Sequence, residues 1–183
     1  MRHLALCMGL GLLMLACSGG GDYYEESGEP KWVVRGSGAF EEGGKKIFFG
    51  VGMVNGIGNK ALARSTAENR ARADLGKIFR TYSASLMRDY MASTTAGDMT
   101  ASAEEQHVDQ AIKTFSKITL SGVMIVDHWQ DPSDGTVYAL ARLDLAEFGG
   151  ALEKMKELDA KTRDFVRANA DKAFYRLAAE EQK

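Results

Sequence analysis

Hydrophobic and polar positions change their period several times along this chain, and each change predicts an element. Lys31-Trp32-Val33-Val34-Arg35 is a short β-type run ended by Gly36 and Gly38. Glu41 to Lys46 reads as a charged, glycine-containing turn, and Lys46 to Val54 as a second apolar β-type run. Asn55 to Asn59 (NGIGN) breaks that run and supplies a helix start. From Lys60 to Ala92 the period becomes three or four. Leu62, Ala67, Ala71, Leu75, Ile78, Phe79, Tyr82, Leu86 and Tyr90 share one stripe, and Arg64, Arg70, Arg72, Lys77, Arg80 and Arg88 mostly fill the rest. The alanines on the inner stripe predict close packing on a sheet, with Gly76 as the weak point of the helix.

Beyond a loop at Ser93 to Thr100, Ser102-Ala103-Glu104-Glu105 fits a capping box. Val108, Ala111, Ile112 and Phe115 follow at helical spacing, to an end near Lys117. Ile118 to Gln130 reads as a strand. Strict alternation puts Val123, Ile125, Asp127 and Trp129 on one face and Met124, Val126 and His128 on the other. Asp131-Pro132-Ser133-Asp134-Gly135 is a hairpin turn. Thr136 to Asp144 returns as a strand whose Tyr138, Leu140 and Arg142 alternate with Val137, Ala139, Ala141 and Leu143. Leu145 to Glu180 is helical and highly charged, with Gly149-Gly150 dividing a first turn from the main helix. The order β-β-α-α-β-β-α predicts an α+β fold: an antiparallel sheet of about four strands packed by a long helix.

The N-terminal end has a different pattern. Arg2 and His3 precede an almost wholly apolar run from Leu4 to Leu15, ~18 Å long as a helix. That is short of the ~20 residues a membrane span needs and suits the apolar region of a secretory signal. The run ends at Met14-Leu15-Ala16-Cys17, which resembles the lipobox of bacterial lipoproteins. The resemblance implies cleavage after Ala16, lipid on the Cys17 thiol and acylation of the new amine. Ser18 to Pro30 carries three consecutive glycines and four acids without an aliphatic residue, the composition of a tether. The expected organisation is therefore a signal peptide at 1–16, lipidated Cys17 and tether at 17–30, an α+β domain at 31–147 and a charged C-terminal helix at 148–183.

Composition narrows the function classes. Cys7 falls inside the signal, so the mature chain keeps Cys17 alone and forms no internal disulfide. Loss of residues 1–16 takes Lys+Arg from 23 to 22 against 25 acids, a formal −3, which argues against a nucleic-acid partner. Gly56-Ile57-Gly58-Asn59-Lys60-Ala61 matches G-x-G-x-x-A, but position 78, where an acid ending the next strand would stand, is Ile78 within the long helix. His107 and His128 share no metal-ligand spacing. Asp131 and Asp134 fit a turn better than a calcium loop. His128 and Asp127 point to opposite faces of a strand, which excludes a dyad. Ser37-Gly38 and Ser121-Gly122 lack the flanks of a nucleophile elbow, and Glu104-Glu105 and Glu180-Glu181 read as solvated helix ends. The expectation is a non-enzyme that folds without metal, nucleotide or other cofactor.

Gly50-Val51-Gly52, then Ala61, Ala63-Arg64, Ala67, Asn69, Ala71-Arg72-Ala73 and Leu75, and later Val137-Tyr138-Ala139-Leu140-Ala141-Arg142-Leu143, resemble the Lpp-twenty family of bacterial lipoproteins. That family shares its sheet-and-long-helix module with flagellar outer-membrane proteins of the FlgP and FlgT type. The resemblance runs from Gly50 to about Leu143. It implies an outer-membrane lipoprotein with a structural or assembly role in the cell envelope, in some members around the flagellar motor. It brings no catalytic residues. The expected partners are a membrane, through lipidated Cys17, and proteins or further copies of the chain. Strand Lys31–Arg35 as a sheet edge and the distal stripe Phe165 to Leu177 are the expected contacts with a neighbour. The alternative reading is a periplasmic binding module for a small ligand or peptidoglycan, with Trp32, Trp129 and the helix arginines as its lining.

Overall fold

A computed structural model of the chain describes residues 28–94, 109–115, 122–153, 158 and 160–181. Cys17 and most of the expected tether, the expected capping box at Ser102–Glu105, His107 and the start of the third predicted strand lie outside the described residues. The described elements are α1 (Lys31–Arg35), β1 (Gly38–Glu42), β2 (Lys45–Val54), α2 (Lys60–Thr94), a helical stretch at 109–115, β3 (Met124–Gln130), β4 (Val137–Asp144), α3 (Leu145–Glu153) and α4 (Ala160–Glu181). The fold is α+β. Its four-stranded antiparallel sheet has the order β1-β2-β4-β3, and α2 lies across one face. No described helix is long and apolar enough to cross a membrane.

The first strand is not where its β-branched residues place it. Lys31–Arg35 is a single helical turn in which the Val33 N–H donates to the Pro30 carbonyl and the Gly36 N–H to the Trp32 carbonyl. Pro30 fixes the entry at φ −62°, and Gly36 closes the turn at φ 76°, which favours glycine. Trp32 is thereby turned onto the sheet and buried, and Val34 is left outside. The strand is Gly38–Glu42, within the span that reads as glycine spacer and turn. Gly43 and Gly44 form the two-residue hairpin to β2 with φ +56° and +74°, as this loop length demands.

Helix α2 packs on β2 and β4 through Ala63, Ala67, Ala71, Leu75, Phe79, Tyr82 and Leu86, all buried. Ala63 holds the inner position expected of Leu62, which is 54% exposed. Opposite the alanines stand Gly50 and Gly52. A Cβ on Gly52 would overlap the Ala67 carbonyl and the Ala71 amide, and one on Gly50 the Ala71 carbonyl and Leu75. The helix backbone thus rests directly on the strand backbone. Past these glycines the gap widens and rings fill it. Phe48 meets Phe79, Tyr82 and Phe174 with centroids 5.4, 5.1 and 5.2 Å away, and Phe148 joins Phe79 to Phe115.

The C-terminal region belongs to the same core. Helix α3 runs through Gly149-Gly150 rather than dividing there. Asp144 caps it by accepting the Ala146 N–H at 3.0 Å, and buried Leu145, Phe148 and Leu152 hold one face in place. Burial of two large side chains, ~2 kcal/mol each, offsets ~1 kcal/mol per helical glycine. Val166, Phe174 and Leu177 of α4 are also buried, and Phe165 packs edge-on against Tyr90. The stripe expected to meet a neighbour is therefore packed within this domain, against α2 as well as the sheet. Helix α4 also ties down β1 and the start of β2, as Glu181 accepts the Ala39 N–H at 2.7 Å, Tyr175 donates to Glu41, and Asp171 pairs with Lys46 of β2.

A bulge between Ile125 and Asp127 breaks the alternation of β3. Ile125 joins Val123 on the helix face, whereas Asp127 and Trp129 lie on the outer face; His128 is back on the helix face. The outer face has a smaller cluster of buried Trp32, Ile47, Phe49 and Leu140, with half-buried Trp129 and Tyr138 beside it.

The helix–sheet contact predicts an asymmetry between glycines. Gly52→Ala should lower the unfolding free energy by about 2 kcal/mol or more through overpacking. Gly58→Ala, with open space around it and an ordinary φ, should change it by less than about 0.5 kcal/mol. Urea unfolding of both variants checks this, and equal midpoints would disprove the close contact.

Candidate functional site

The segment from Asn55 to Asn59 brings the start of α2 beside the end of β3. Gly56 takes φ +79°, and Asn59 caps the helix by accepting the Leu62 N–H at 3.0 Å. Lys60, Arg64, Glu68 and Arg72 then follow at intervals of four, one charged stripe along the helix. The β3 bulge turns His128 towards that stripe. The result is a cleft of about 300 Å³ lined by Ile57, Lys60, Ala63, Arg64, His128, Trp129, Gln130, Gly135 and Val137.

Polar contacts fix the back of this cleft. A guanidinium has only donors, so Arg64 Nη2, 3.2 Å from His128 Nδ1, makes that nitrogen the acceptor. His128 Nε2 therefore carries the proton and donates to Glu68 Oε1 at 2.9 Å. Glu68 also takes Arg64 Nε on the same oxygen and Arg72 on the other. The His128 hydrogen bond, aided by the two arginines, holds the Glu68 carboxyl below the usual carboxylate value. Lys60 has no ion-pair partner among the described residues, so the mouth is positive.

Both tryptophans belong to the outer-face cluster. Trp129 borders the cleft from the edge of β3, but its ring packs on the outer face, 5.3 Å from that of Tyr138. Trp32 lies on the outer face, donates Nε1–H to Asp127 Oδ2 at 2.9 Å, and lines a second cleft with Lys31, Arg35, Glu42 and Leu140. The helix arginines also scatter. Arg70 donates to the Met53 carbonyl, whereas Arg80 and Arg88 border a groove with Arg176, itself paired with Asp89.

The remaining candidates have local structural roles. Gly56 and Gly58 form the turn into α2, with open space around both. Asp131 accepts the Ser133 N–H and O–H, which holds its carboxyl low, and Asp134 accepts the Thr136 N–H. Ser37 donates to Asp74 and accepts the Val51 N–H, joining β1's entry to α2 and β2. Burial, above all, raises the Glu181 carboxyl where it caps β1. Asp127 and His128 face opposite sides of the sheet. Among the described residues, no three His, Cys, Asp or Glu side chains gather as a metal group. Lys60, Glu68 and Gln130 were not singled out from the sequence. The Lys60-Arg64-Glu68-Arg72 spacing was visible there, but nothing in it named the strand residue it faces.

No model of a known protein family matches the chain, and no curated protein matches it.

The Glu68 cluster gives a pH dependence of defined sign. Because the folded carboxyl lies below its ordinary 4.5, its contribution is present above that pH and is lost as pH falls through the lower folded value. Glu68→Gln should cost about 1 kcal/mol at neutral pH and flatten the acid limb of stability between about pH 6 and 3. Urea midpoints across that range check it; parallel curves would reject the linkage.

Proposed function

We propose that the chain is a lipid-anchored, non-enzymatic outer-membrane lipoprotein that works by contact in the cell envelope, in a structural or assembly role. The observation that carries this reading is the thinly covered outer sheet face at the point where the tether enters. Among the described residues, the helix seated there is the one-turn α1, with Trp32 as its anchor. Met53 and Met124 are 58% and 51% exposed on that face, and Val34 is 65% exposed on α1 itself. Tyr138 and Trp129 lie between the strand ends. The Tyr138 phenol is raised by partial burial first, then by Asp131, Asp134 and the tether's Glu29, which places the tether's end near this patch.

Apolar side chains left on one face of a sheet support a contact role. The Met14-Leu15-Ala16-Cys17 site supports the anchor. Confinement of anchored copies to one plane raises their effective concentration, so weak contacts suffice. The Lpp-twenty resemblance adds the envelope as the setting and the flagellar motor as one location within it. A second reading, a periplasmic binding module for a small ligand or peptidoglycan, draws support from the cleft beside His128.

Cys17→Ser should abolish incorporation of labelled fatty acid, because a hydroxyl does not replace the thiolate nucleophile. Equal label in variant and wild type would remove the anchor. A photo-crosslinker placed at position 53 or 124 on the anchored protein should give higher-mass adducts in cells, and one at exposed position 77 should not. Adducts from position 77 alone would move the contact to the helix side, and none from any position would reject the contact role.

A further inference from the structure

We propose that the cleft between α2 and β3 binds a small amphiphilic anion, a carboxylate or phosphate head carried on a short aliphatic body. This names a ligand class for the cleft and rests on neither the outer-face contact nor the lipid anchor.

Charge selects the head. Among the described residues that line the cleft, Lys60 and Arg64 are the cations, and none is an acid. Glu68 lies behind Arg64 with both oxygens engaged, one by His128 and Arg64 and the other by Arg72. Asp131 and Asp134 of the neighbouring turn accept the Ser133 and Thr136 N–H groups within that turn. One carboxylate thus serves Arg64 and Arg72 together, and Lys60 has no ion-pair partner among the described residues. Arg64 is also held in place, by Glu68 at Nε and His128 at Nη2, which leaves Nη1 open among the described residues. A guanidinium fixed in this way has already lost the freedom that binding would take from it. The helix end adds little, because Asn59 already satisfies the Leu62 N–H.

The inner wall selects the body. Ile57, Ala63 and Val137 line the cleft and are packed with the main core, so the side facing away from the cations is aliphatic. Trp129 borders the space from the strand edge with its ring on the outer face, and so supplies no aromatic plane. Gln130 already donates to the Gly135 carbonyl at 3.3 Å. The wall therefore rewards methyl and methylene groups, and the cations reward a charged head. A volume of about 300 Å³, at the lower end of ligand cavities, keeps that body short.

The test is ligand-observed NMR titration of the full-length chain in phosphatidylcholine nanodiscs, with empty nanodiscs as the blank. The probes are isocaproate and isopentyl phosphate, with acetate as a head without a body and isohexanol as a body without a charge. At least one of the two amphiphilic anions should bind about tenfold or more tighter than both acetate and isohexanol, and more weakly as salt rises. Binding of isocaproate alone assigns a carboxylate, of isopentyl phosphate alone a phosphate, and of both a site that reads charge. Lys60→Ala and Arg64→Ala should each weaken binding about tenfold, and Arg80→Ala, in the separate groove, should not. Lys60 has no ion pair among the described residues to lose, so its variant reads binding without a change of fold. Failure of both amphiphilic anions to bind, acetate or isohexanol bound as tightly as they are, or affinity unaltered by Lys60→Ala and Arg64→Ala would overturn the proposal. A Cys17→Ser chain should bind equally, so loss of the anchor reading leaves this one standing.

Discussion

The backbone of α2 lies against the backbone of β2, and the rest of the structure depends on that contact. It is possible only because Gly50 and Gly52 have no side chain on the helix face and Ala63, Ala67 and Ala71 have almost none. The approach fixes both the height and the direction of the helix over the sheet. Further along, the same helix stands off far enough to admit Phe48, Phe79 and Tyr82. This wedge-shaped gap is what α3, α4 and the helical residues 109–115 fill with Phe148, Phe174 and Phe115. The Tyr82 hydroxyl donates to the Ala170 carbonyl at 3.2 Å, and burial holds that phenol protonated. The small-residue end and the aromatic end are two parts of one packing solution.

The two faces of the sheet have unequal cover. The helix face holds the main core. Among the described residues, the outer face has a single helical turn, and its buried centre of Trp32, Ile47, Phe49 and Leu140 grades into exposed methionines. The two edges are unequal as well. Glu181 and α4 close β1, while β3 carries a bulge that interrupts its ladder, a device that discourages indiscriminate strand addition. Among the described residues, the least covered surface of the sheet is therefore a face and not an edge. This differs from what a strand at Lys31–Arg35 would have provided.

That same bulge also creates the cleft. An unbroken β3 would place Ile125 and Asp127 on one face, and Asp127 would then share a side with the core residues. The extra residue sends Asp127 to the Trp32 indole and lets His128 reach Glu68 from the helix side. One local irregularity thus supplies the hydrogen bond that seats α1 on the outer face and the one that fixes Arg64 on the other. The outer face and the cleft on the helix side therefore meet at adjacent residues of a single strand.

Much of the fold was legible in the sequence because periodicity is a local property. The long helix, the second and fourth strands, the Asp131–Gly135 hairpin turn and the α+β class follow from spacing that any solvent-facing element must obey. The alanine stripe of α2 even announced its close packing. The sequence alone also contains the lipobox-type motif around Cys17. Tertiary structure decided the rest. Lys31–Arg35 has strand-like residues but was turned into a helix by Pro30, Gly36 and the chance to bury Trp32, a gain that no local pattern records. Gly149-Gly150 stayed helical because Phe148 and Leu152 had a core to enter. The candidate site was the least legible part. Lys60, Arg64 and Glu68 were visible as an i, i+4 series, but His128 joins them from a residue 60 positions away in sequence from Glu68. A contact across that separation depends on where the strand is bulged and how closely the helix sits, and both are set by packing between elements rather than by the pattern within either one.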